Sequence, residues 1–360
     1  MKIAIILGTR PEIIKLFSII KLLHGSKHDC IIIHTNQHYS PEMDAIFWKE
    51  LELPAADYNL KIGSGNHGEM TGRMMIAIEK VLMKEKADIV FVQGDTNTVL
   101  AGALVAVKLG IKVAHVEAGL RSYDRTMPEE YNRIIADHVG SFLFAPTKRQ
   151  MEILCQEGID NSQIFVTGNT IVDAILHFSK KVNDDLLKMY GVKKNEYFLL
   201  TLHRPSNVDN QENLEQLLNN ISKLANLYNK KVIFPAHPRT IKNIQKYEIC
   251  PPKNIHIIEP VGYKDLITLQ KFADIILTDS GGIQEEACCL AVPCLVLRDN
   301  TERPEVIDVG AGKIVGSNYE LMLKAYQEFN INQSNRNWIN PFGDGKSAYR
   351  IIQIIENSVS

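Results

Sequence analysis

Residues 88–122 read DIVFVQGDTNTVLAGALVAVKLGIKVAHVEAGLRS, and this stretch decides the class of fold. Its two apolar runs, 88–93 and 112–116, are short and almost continuous, whereas residues 97–109 between them have helical periodicity. Strands that are apolar on both faces and alternate with helices are typical of a parallel sheet covered by helices. The stretch therefore predicts a strand–helix–strand unit of a doubly wound α/β domain.

The same alternation extends in both directions along the chain. Further strands are predicted at 2–7, 30–34, 141–145, 164–167, 197–202, 231–235, 255–258, 274–278 and 293–297. Further helices are predicted at 11–24, 40–51, 68–86 and 128–138. Single cores stop growing at roughly 250–300 residues, so a chain of this length favours two domains. We predict two Rossmann-like doubly wound domains that face each other across a cleft.

Charge and composition disfavour several classes of protein. The formal net charge is −2, whereas a polyanion binder normally carries a basic excess, so we expect no nucleic-acid partner. No apolar stretch approaches the ~20 residues that span a bilayer, so we expect no membrane partner and a soluble, cytoplasmic protein. The six cysteines form no CxxC pair, which disfavours a zinc site and a disulfide framework.

Three carboxylates occupy positions where ligands of α/β proteins bind. Asp95 and Glu117 each follow one of the two strands quoted above, and Glu129 lies in the first turn of the helix predicted at 128–138. Ligands bind beyond the carboxyl ends of parallel strands, so we expect these three side chains in one site. Converging carboxylates can act as a paired general acid and base. Each alone is more often a helix cap or an ion-pair partner, so only the set favours catalysis.

The second half of the chain carries the features of a phosphate site. Ser280, Gly281 and Gly282 separate the strand 274–278 from a helix, whose first N–H groups can face phosphate oxygens. Glu286, one turn into that helix, is suited to the hydroxyls of a ribose. Cationic or imidazole side chains follow other predicted strands: Arg10, Lys15, His203, His237 and Arg303. Arg10 and Lys15 alone could equally be solvated bases on a structural turn. Together with the other residues of this paragraph, they predict a nucleotide-diphosphate site.

We expect neither a metal nor an organic cofactor. The chain has no HExxH spacing, and its basic residues could neutralise a diphosphate unaided. The loop after the first strand reads GTRPE rather than GxGxxG, so a nicotinamide cofactor has no support.

Taken together and in order, these junctions resemble those of the non-hydrolysing UDP-N-acetylglucosamine 2-epimerases. The matching stretches are GTRPEIIK (8–15), QGDTNT (93–98), HVEAGLRS (115–122), MPEEYNR (127–133), TGNTIVDA (167–174), LHR (202–204), LTDSGGIQEEA (277–287) and RDNTERPE (298–305). One such motif would be weak, but eight in order over nearly the whole chain are specific. The resemblance implies a GT-B type of fold. Residues 1–168 with a C-terminal helix at 345–360 would form the N-terminal domain, and 169–344 the UDP-binding domain.

The resemblance also implies a reaction that needs no cofactor. In this family the proton at C2 of the sugar is removed and UDP leaves C1, giving an enzyme-bound 2-acetamidoglucal. UDP then returns while a proton arrives on the opposite face of C2. The catalytic residues implied by position are Asp95, Glu117, Glu129 and His203. Those implied for binding the substrate and UDP are Arg10, Lys15, Arg133, His237, Ser280, Gly281, Gly282, Glu286 and Arg303.

Two departures from related patterns narrow the expectation. Residues 37–44 differ from the polar stretch of bacterial members that their substrate activates, so we do not expect allosteric activation. Relatives acting on diacetamido-uronic acid nucleotides begin with a GARPQ-like loop and lack an ERPE pattern. Thr9, Glu12 and the pair Arg303-Pro304 therefore favour the plain N-acetylglucosamine nucleotide.

Three alternatives share much of this pattern. One is a hydrolysing or modified-sugar epimerase, which would keep nearly all of the binding residues. The second is a GT-B glycosyltransferase, which the three carboxylates disfavour. The third is a nucleotide-sugar-binding protein without catalysis. The family resemblance further implies a homodimer.

Overall fold

The computed structural model describes residues 1–37, 48–331 and 338–358. Contacts divide the chain into two compact units, one of Met1–Ala174 with Phe342–Ser360 and one of Ile175–Pro341. Each unit contains one parallel sheet, so the predicted pair of Rossmann-like α/β domains is confirmed. The assignment of UDP binding to the second domain stays a prediction.

The strands and helices follow the predicted alternation. The strands are β1 (Lys2–Leu7), β2 (Asp29–His34), β3 (Tyr58–Asn59), β4 (Ile89–Gln93), β5 (Lys112–Val116), β6 (Phe142–Ala145), β7 (Ile164–Val166), β8 (Tyr197–Thr201), β9 (Lys231–Pro235), β10 (Ile255–Ile258), β11 (Ile275–Thr278), β12 (Cys294–Val296) and β13 (Gly312–Ile314). The helices are α1 (Arg10–His24), α2 (His67–Glu85), α3 (Asn97–Lys108), α4 (Pro128–Val139), α5 (Lys148–Gln156), α6 (Thr170–Phe178), α7 (Asp185–Met189), α8 (Pro205–Val208), α9 (Gln211–Leu227), α10 (Pro238–Lys246), α11 (Tyr263–Lys271), α12 (Gly281–Cys289), α13 (Pro304–Asp308), α14 (Tyr319–Ile331) and α15 (Ser347–Asn357).

The two sheets have the same strand order relative to their own first strand. The first unit has the order β3-β2-β1-β4-β5-β6-β7, and the second has β10-β9-β8-β11-β12-β13. The chain therefore proceeds outward to one side of β1 and then restarts at β4 on the other side, and it does the same at β8 and β11. Loops that diverge at such a switch point leave a crevice where ligands bind. The fold alone thus directs attention to the loops after these four strands.

Apolar composition explains why these segments are central strands. The side chains from Ile3 to Leu7 in β1 have 0% exposed surface, and so do those from Tyr197 to Leu200 in β8. Strands covered on both faces by helices need apolar residues at consecutive positions rather than at alternate ones. Pro11 and Pro128 stand in the first turns of α1 and α4, where the missing N–H has no intrahelical partner.

The C-terminal helix α15 belongs to the first unit. Asp173 in α6 accepts hydrogen bonds from the amides of Ser347 (3.2 Å) and Ala348 (3.0 Å) at the start of α15. Gly168 has a φ of +86°, and a Cβ there would lie 3.0 Å from the carbonyl oxygen of Phe342. The returning chain therefore requires glycine at this point.

The structure adds two strands to the expected elements and leaves two expectations outside the described residues. The strands β3 and β13 were not predicted, because one has two residues and the other contains Gly and Lys. The helix predicted at 40–51 lies mostly outside the described residues. The stretch 37–44, on which the expectation about allosteric activation depends, also lies mostly outside the described residues.

Candidate functional site

The polar loops of the first unit meet at its switch point. Gly8 and Thr9 follow β1, whereas Gly94 and Asp95 follow β4. Glu12, in the first turn of α1, connects the two loops. Its carboxylate accepts hydrogen bonds from the Gly8 amide (2.9 Å), the Thr9 hydroxyl (2.8 Å) and the Thr96 hydroxyl (2.9 Å). Sequence reasoning missed this role, since Thr96 lies 84 positions away along the chain.

Glu117 lies at the end of β5 and contacts a cation. Its carboxylate contacts the Nζ of Lys15, and the same Oε2 accepts a hydrogen bond from the Gln93 side chain at 3.0 Å. The three side chains are buried. Glu117 also has a φ of +70°, a conformation that a non-glycine residue rarely adopts and that is concentrated at functional sites. The structure thus places a buried carboxylate next to a buried ammonium group at the carboxyl edge of the sheet.

Asp95 is part of a second carboxylate–cation cluster. The guanidinium of Arg133 contacts Asp95 through Nη2 and Glu130 through Nη1 (2.7 Å). Glu130 also accepts hydrogen bonds from the Ser122 amide (3.0 Å) and the Ser122 hydroxyl (2.9 Å). Burial opposes ionisation of Glu130, but the bonds from Ser122 and the charge of Arg133 hold its pKa below the usual range. Glu130 therefore fixes Arg133, which in turn fixes Asp95.

Glu129, the remaining predicted carboxylate, is partly exposed in the first turn of α4. The adjacent Glu130 is 1% exposed and bonded to Ser122. Two consecutive acids thus have different environments. The buried one belongs to the framework, whereas the partly exposed one remains accessible to a ligand.

The second unit places His203 beside a buried carboxylate. His203 follows β8, and its Nδ1 lies 3.0 Å from Oδ1 of Asp279, which follows β11. Asp279 also accepts hydrogen bonds from the amides of His203 (3.1 Å) and Arg204 (2.9 Å) and from the side chain of Asn207 (3.1 Å). Burial opposes ionisation of Asp279, but the ring of His203 and the amides of Arg204 and His203 hold its pKa below the usual range. With Nδ1 directed at a carboxylate, Nε2 of His203 is the ring nitrogen left to face a ligand.

His237 lies near His203 in the same unit. It caps α10 by accepting a hydrogen bond from the Arg239 amide at 3.2 Å, and its ring centroid lies 5.9 Å from that of His203. Burial, together with the charges of His203 and Arg239, lowers the pKa of His237. A neutral imidazole at this helix start can both cap the helix and contact a polar ligand.

The glycines at the start of α12 leave room for a ligand. Neither Gly281 nor Gly282 has a positive φ, and a Cβ on either would make only ordinary contacts, at 3.6 Å to Glu302 and 4.0 Å to Ser280. The turn therefore does not demand glycine here. Missing side chains expose the N–H groups of the first helical turn, which is the arrangement that binds phosphate.

The other predicted binding residues of this unit are held by neighbouring side chains. Arg303 donates to Glu285 at 2.5 Å. Glu286 accepts a hydrogen bond from the Gln270 side chain and is buried. A ribose at Glu286 would share its carboxylate with Gln270. Arg10, the remaining predicted residue, is partly buried at the start of α1 in the first unit.

The described residues give no support to a metal centre or to a membrane-spanning helix. Across residues 1–37, 48–331 and 338–358, no group of three or more His, Cys, Asp or Glu side chains is arranged to hold a metal ion. Within those ranges, no helix has the length and apolar character needed to cross a membrane.

Two Rossmann-like domains, each with polar loops at the switch point of its sheet, define a protein of the GT-B class. The family model for UDP-N-acetylglucosamine 2-epimerase matches residues 21–356. A UDP-N-acetylglucosamine 2-epimerase of Methanocaldococcus jannaschii is 57% identical over 363 residues, covering 99% of each chain. The crystal structure of M. jannaschii UDP-GlcNAc 2-epimerase in complex with UDP-GlcNAc and UDP has 56% identity and a TM-score of 0.91, covering 99% of this chain and 100% of that chain. A UDP-2,3-diacetamido-2,3-dideoxy-D-glucuronate 2-epimerase of Pseudomonas aeruginosa is 36% identical over 359 residues, covering 99% of each chain. The chain belongs to the UDP-N-acetylglucosamine 2-epimerase family.

Proposed function

We propose that this chain catalyses the reversible epimerisation of UDP-N-acetylglucosamine to UDP-N-acetylmannosamine, without a metal or an organic cofactor. Family membership supports the reaction class. The observation that carries the proposal is the position of Asp95 and Glu117, beyond the ends of the adjacent strands β4 and β5, each in contact with a buried cation. Inversion at a carbon requires proton transfer on both faces, and two separately held carboxylates supply two such groups.

In the proposed reaction, a carboxylate removes the proton from C2 while the bond from C1 to the UDP oxygen breaks. The electron pair of the C2–H bond forms the C1–C2 double bond of a 2-acetamidoglucal, and UDP leaves with the pair of the broken bond. In the second half, the UDP oxygen adds to C1 and a proton is delivered to the opposite face of C2. We assign the two proton transfers to Asp95 and Glu117, and we assign the shaping of the site to Glu129.

The departing UDP is a polyanion that must be held for re-addition. We assign this task to His203, whose Nε2 can donate to the leaving oxygen when the ring carries both protons, and to His237 and the helix start at Ser280, Gly281 and Gly282. Glu286 would bind the ribose. Further contacts to the diphosphate or sugar are assigned to the cationic residues Arg10, Lys15, Arg133 and Arg303. Of these, Lys15, Arg133 and Arg303 each contact a carboxylate, so a phosphate there would compete with that carboxylate.

The test is to incubate chelator-treated protein with UDP-N-acetylglucosamine in deuterium oxide and follow the proton NMR spectrum. We expect UDP-N-acetylmannosamine to form with deuterium at C2, because the transferred proton exchanges with solvent. Formation of free N-acetylmannosamine and UDP would instead identify a hydrolysing enzyme. An unchanged spectrum would contradict the proposal.

An Asp95→Asn variant tests the residue assignment in the same assay. Loss of a general acid or base lowers turnover by about 10²- to 10⁴-fold, so the rate of deuterium incorporation should fall by that order. The matched control is Asp29→Asn, which changes an exposed carboxylate at the opposite, amino end of a strand in the same sheet. If Asp95→Asn turned over as fast as this control, the assignment would be wrong.

Two further properties belong to this proposal. The greater identity to the plain UDP-N-acetylglucosamine epimerase than to the diacetamido-glucuronate enzyme, 57% against 36%, supports the unmodified sugar as substrate. Comparing kcat/KM for the two nucleotide sugars would decide this choice. We also propose that the protein is cytoplasmic and forms a homodimer. The family resemblance supports the dimer, and light scattering of the purified protein would test it.

A further inference from the structure

His115 is a buried titratable group to which the proposed reaction assigns no task. It lies in β5, two positions before Glu117, and its side chain is 1% exposed. Its Nδ1 lies 2.7 Å from Oδ1 of Asp137, and its Nε2 lies 2.8 Å from the carbonyl oxygen of Gly94. A main-chain carbonyl only accepts hydrogen bonds, so Nε2 must carry a proton.

The protonation of Nδ1 depends on whether Asp137 is ionised. The other oxygen of Asp137 accepts hydrogen bonds from the guanidinium of Arg121 (2.7 Å) and from the amide of Gly119 (3.2 Å). Burial opposes ionisation of Asp137, but His115 and Arg121 hold its pKa below the usual range. An ionised Asp137 can only accept, so Nδ1 of His115 must also donate. Both ring nitrogens therefore carry protons.

The surrounding charges balance. Arg121 donates from Nε and Nη2 to the two oxygens of Glu157, at 2.8 and 2.6 Å. The cluster thus contains two cations, His115 and Arg121, and two anions, Asp137 and Glu157. Burial would lower the pKa of His115, but the charge of Asp137 and the bonds to Asp137 and Gly94 outweigh it and raise the pKa. Charges buried in this way need partners, and here each has one.

The cluster holds the peptide group that precedes Asp95. Gly94 has a φ of +82°, its amide donates to the carbonyl of Val116 at 3.1 Å, and its carbonyl accepts from His115. The carbonyl of Asp95 accepts from the Asn132 side chain at 2.9 Å. Both ends of the Gly94–Asp95 turn are therefore hydrogen-bonded to other elements of the first unit, and His115 supplies a hydrogen bond from a charged donor.

We propose that His115 is a positioning residue, kept as an imidazolium between Asp137 and the Gly94 carbonyl, that fixes the Gly94–Asp95 peptide and so holds Asp95 for proton transfer at C2. This inference rests on the proposed function of Asp95. In this proposal His115 supplies a fixed charge and a fixed hydrogen bond, and it takes no part in proton transfer.

Two amide variants separate positioning from general stabilisation. His115→Gln carries its amide at the distance of Nε2 and can still donate to Gly94, whereas His115→Asn carries it at the distance of Nδ1 and can reach only Asp137. Misplacing a reacting group by about 1 Å lowers turnover by on the order of 100-fold. We therefore expect kcat and deuterium incorporation to fall 10- to 100-fold in His115→Asn and less in His115→Gln, while UDP affinity stays within about twofold.

A purely structural role for the Asp137 contact predicts the reverse order, because only His115→Asn preserves that contact. Equal or faster turnover of His115→Asn would therefore overturn the proposal, and so would a loss of UDP affinity as large as the loss of kcat. The matched control is His28→Gln, which alters another buried histidine bonded to a carboxylate, 2.8 Å from Glu356 in the same unit but before the amino end of β2. It should leave kcat unchanged.

The charge of His115 can be measured without any folded variant of the site. Long-range ¹H–¹⁵N spectra of protein labelled at histidine distinguish an imidazolium from either neutral tautomer, and we expect the imidazolium signature for His115 at neutral pH and above. If every buried histidine were neutral there, the proposal would be wrong even if the variants failed to fold. An inactive wild-type protein with this imidazolium would instead contradict the proposed function and leave the assigned charge correct.

Discussion

Replacing Glu12 with Gln should make the first unit more stable at alkaline pH. Glu12 is 1% exposed, and burial raises its pKa to about 7 although the Gly8 amide and the Thr9 and Thr96 hydroxyls favour the ionised form. A glutamine can offer its carbonyl to Gly8 and Thr9 and its amide N–H to the Thr96 hydroxyl. It therefore imitates the protonated acid with the same contacts.

The magnitude follows from the pKa. Raising the pKa of a carboxyl from 4.5 to about 7 corresponds to about 3 kcal/mol, since each pKa unit corresponds to about 1.4 kcal/mol. The folded state binds this proton more tightly than the unfolded state, so its contribution is fully present below pH 4.5 and is lost as the pH rises through about 7. The glutamine variant has no such dependence. Its stability relative to wild type should therefore increase by about 2–3 kcal/mol between about pH 5 and about pH 9.

Urea denaturation at several pH values measures this difference. Trp48 reports on the first unit in a Trp338→Phe background, because these are the two tryptophans of the chain. Glu79→Gln is the control, since it removes an exposed carboxylate and should change the pH dependence little. If the free energies of unfolding of Glu12→Gln and wild type differed by the same amount at every pH, burial of Glu12 would not determine its protonation as argued.

Two other substitutions test how the site is held. Asp279→Asn should remove the carboxylate that accepts from Nδ1 of His203 and stabilises the doubly protonated ring, the form that can donate from Nε2 while Nδ1 faces Asp279. We therefore expect kcat to fall by about 10²- to 10⁴-fold, the usual contribution of a general acid; steady-state kinetics would check this, and an unchanged kcat would show that His203 does not act as the donor. Gly8→Ala should lower the melting temperature, because its Cβ would overlap the hydroxyl of Thr98 and small-to-large changes in packed sites cost about 1–3 kcal/mol. Gly72→Ala is its control in α2, where a Cβ meets nothing within 4 Å, and it should be neutral or stabilising.

Much of the fold could be predicted because central parallel strands carry a strong apolar signal. Every predicted strand occurs within one residue of its expected bounds, and the helix between β4 and β5 is correct to one residue. The exceptions have a physical reason. The edge strand β3 has two residues, and β13 begins with Gly and Lys, so neither presents an apolar run. Short edge strands are set by their neighbours more than by their own composition.

Placement of the candidate site residues could also be predicted, but their partners could not. A residue that follows a strand lies at the carboxyl edge of the sheet, and this alone locates Asp95, Glu117 and His203. The contact between Lys15 and Glu117 joins positions 102 apart, and no local pattern encodes it. Asp279 lies in the motif LTDSGGIQEEA, but the sequence predicts no role for it. Its four hydrogen-bond donors come from residues 203–207, far away along the chain.

The contacts suggest how the two units divide the chemistry. In the first unit, the cations Lys15 and Arg133 contact Glu117 and Asp95, so their charge is already balanced before a substrate arrives. A diphosphate there would have to displace a carboxylate that the reaction requires. The helix start at Gly281 offers backbone N–H groups, which attract anions without themselves requiring a carboxylate partner. We infer that the first unit is organised for proton transfer and that the second holds the departing UDP through this helix start together with His203 and His237, so that UDP is retained for re-addition to C1.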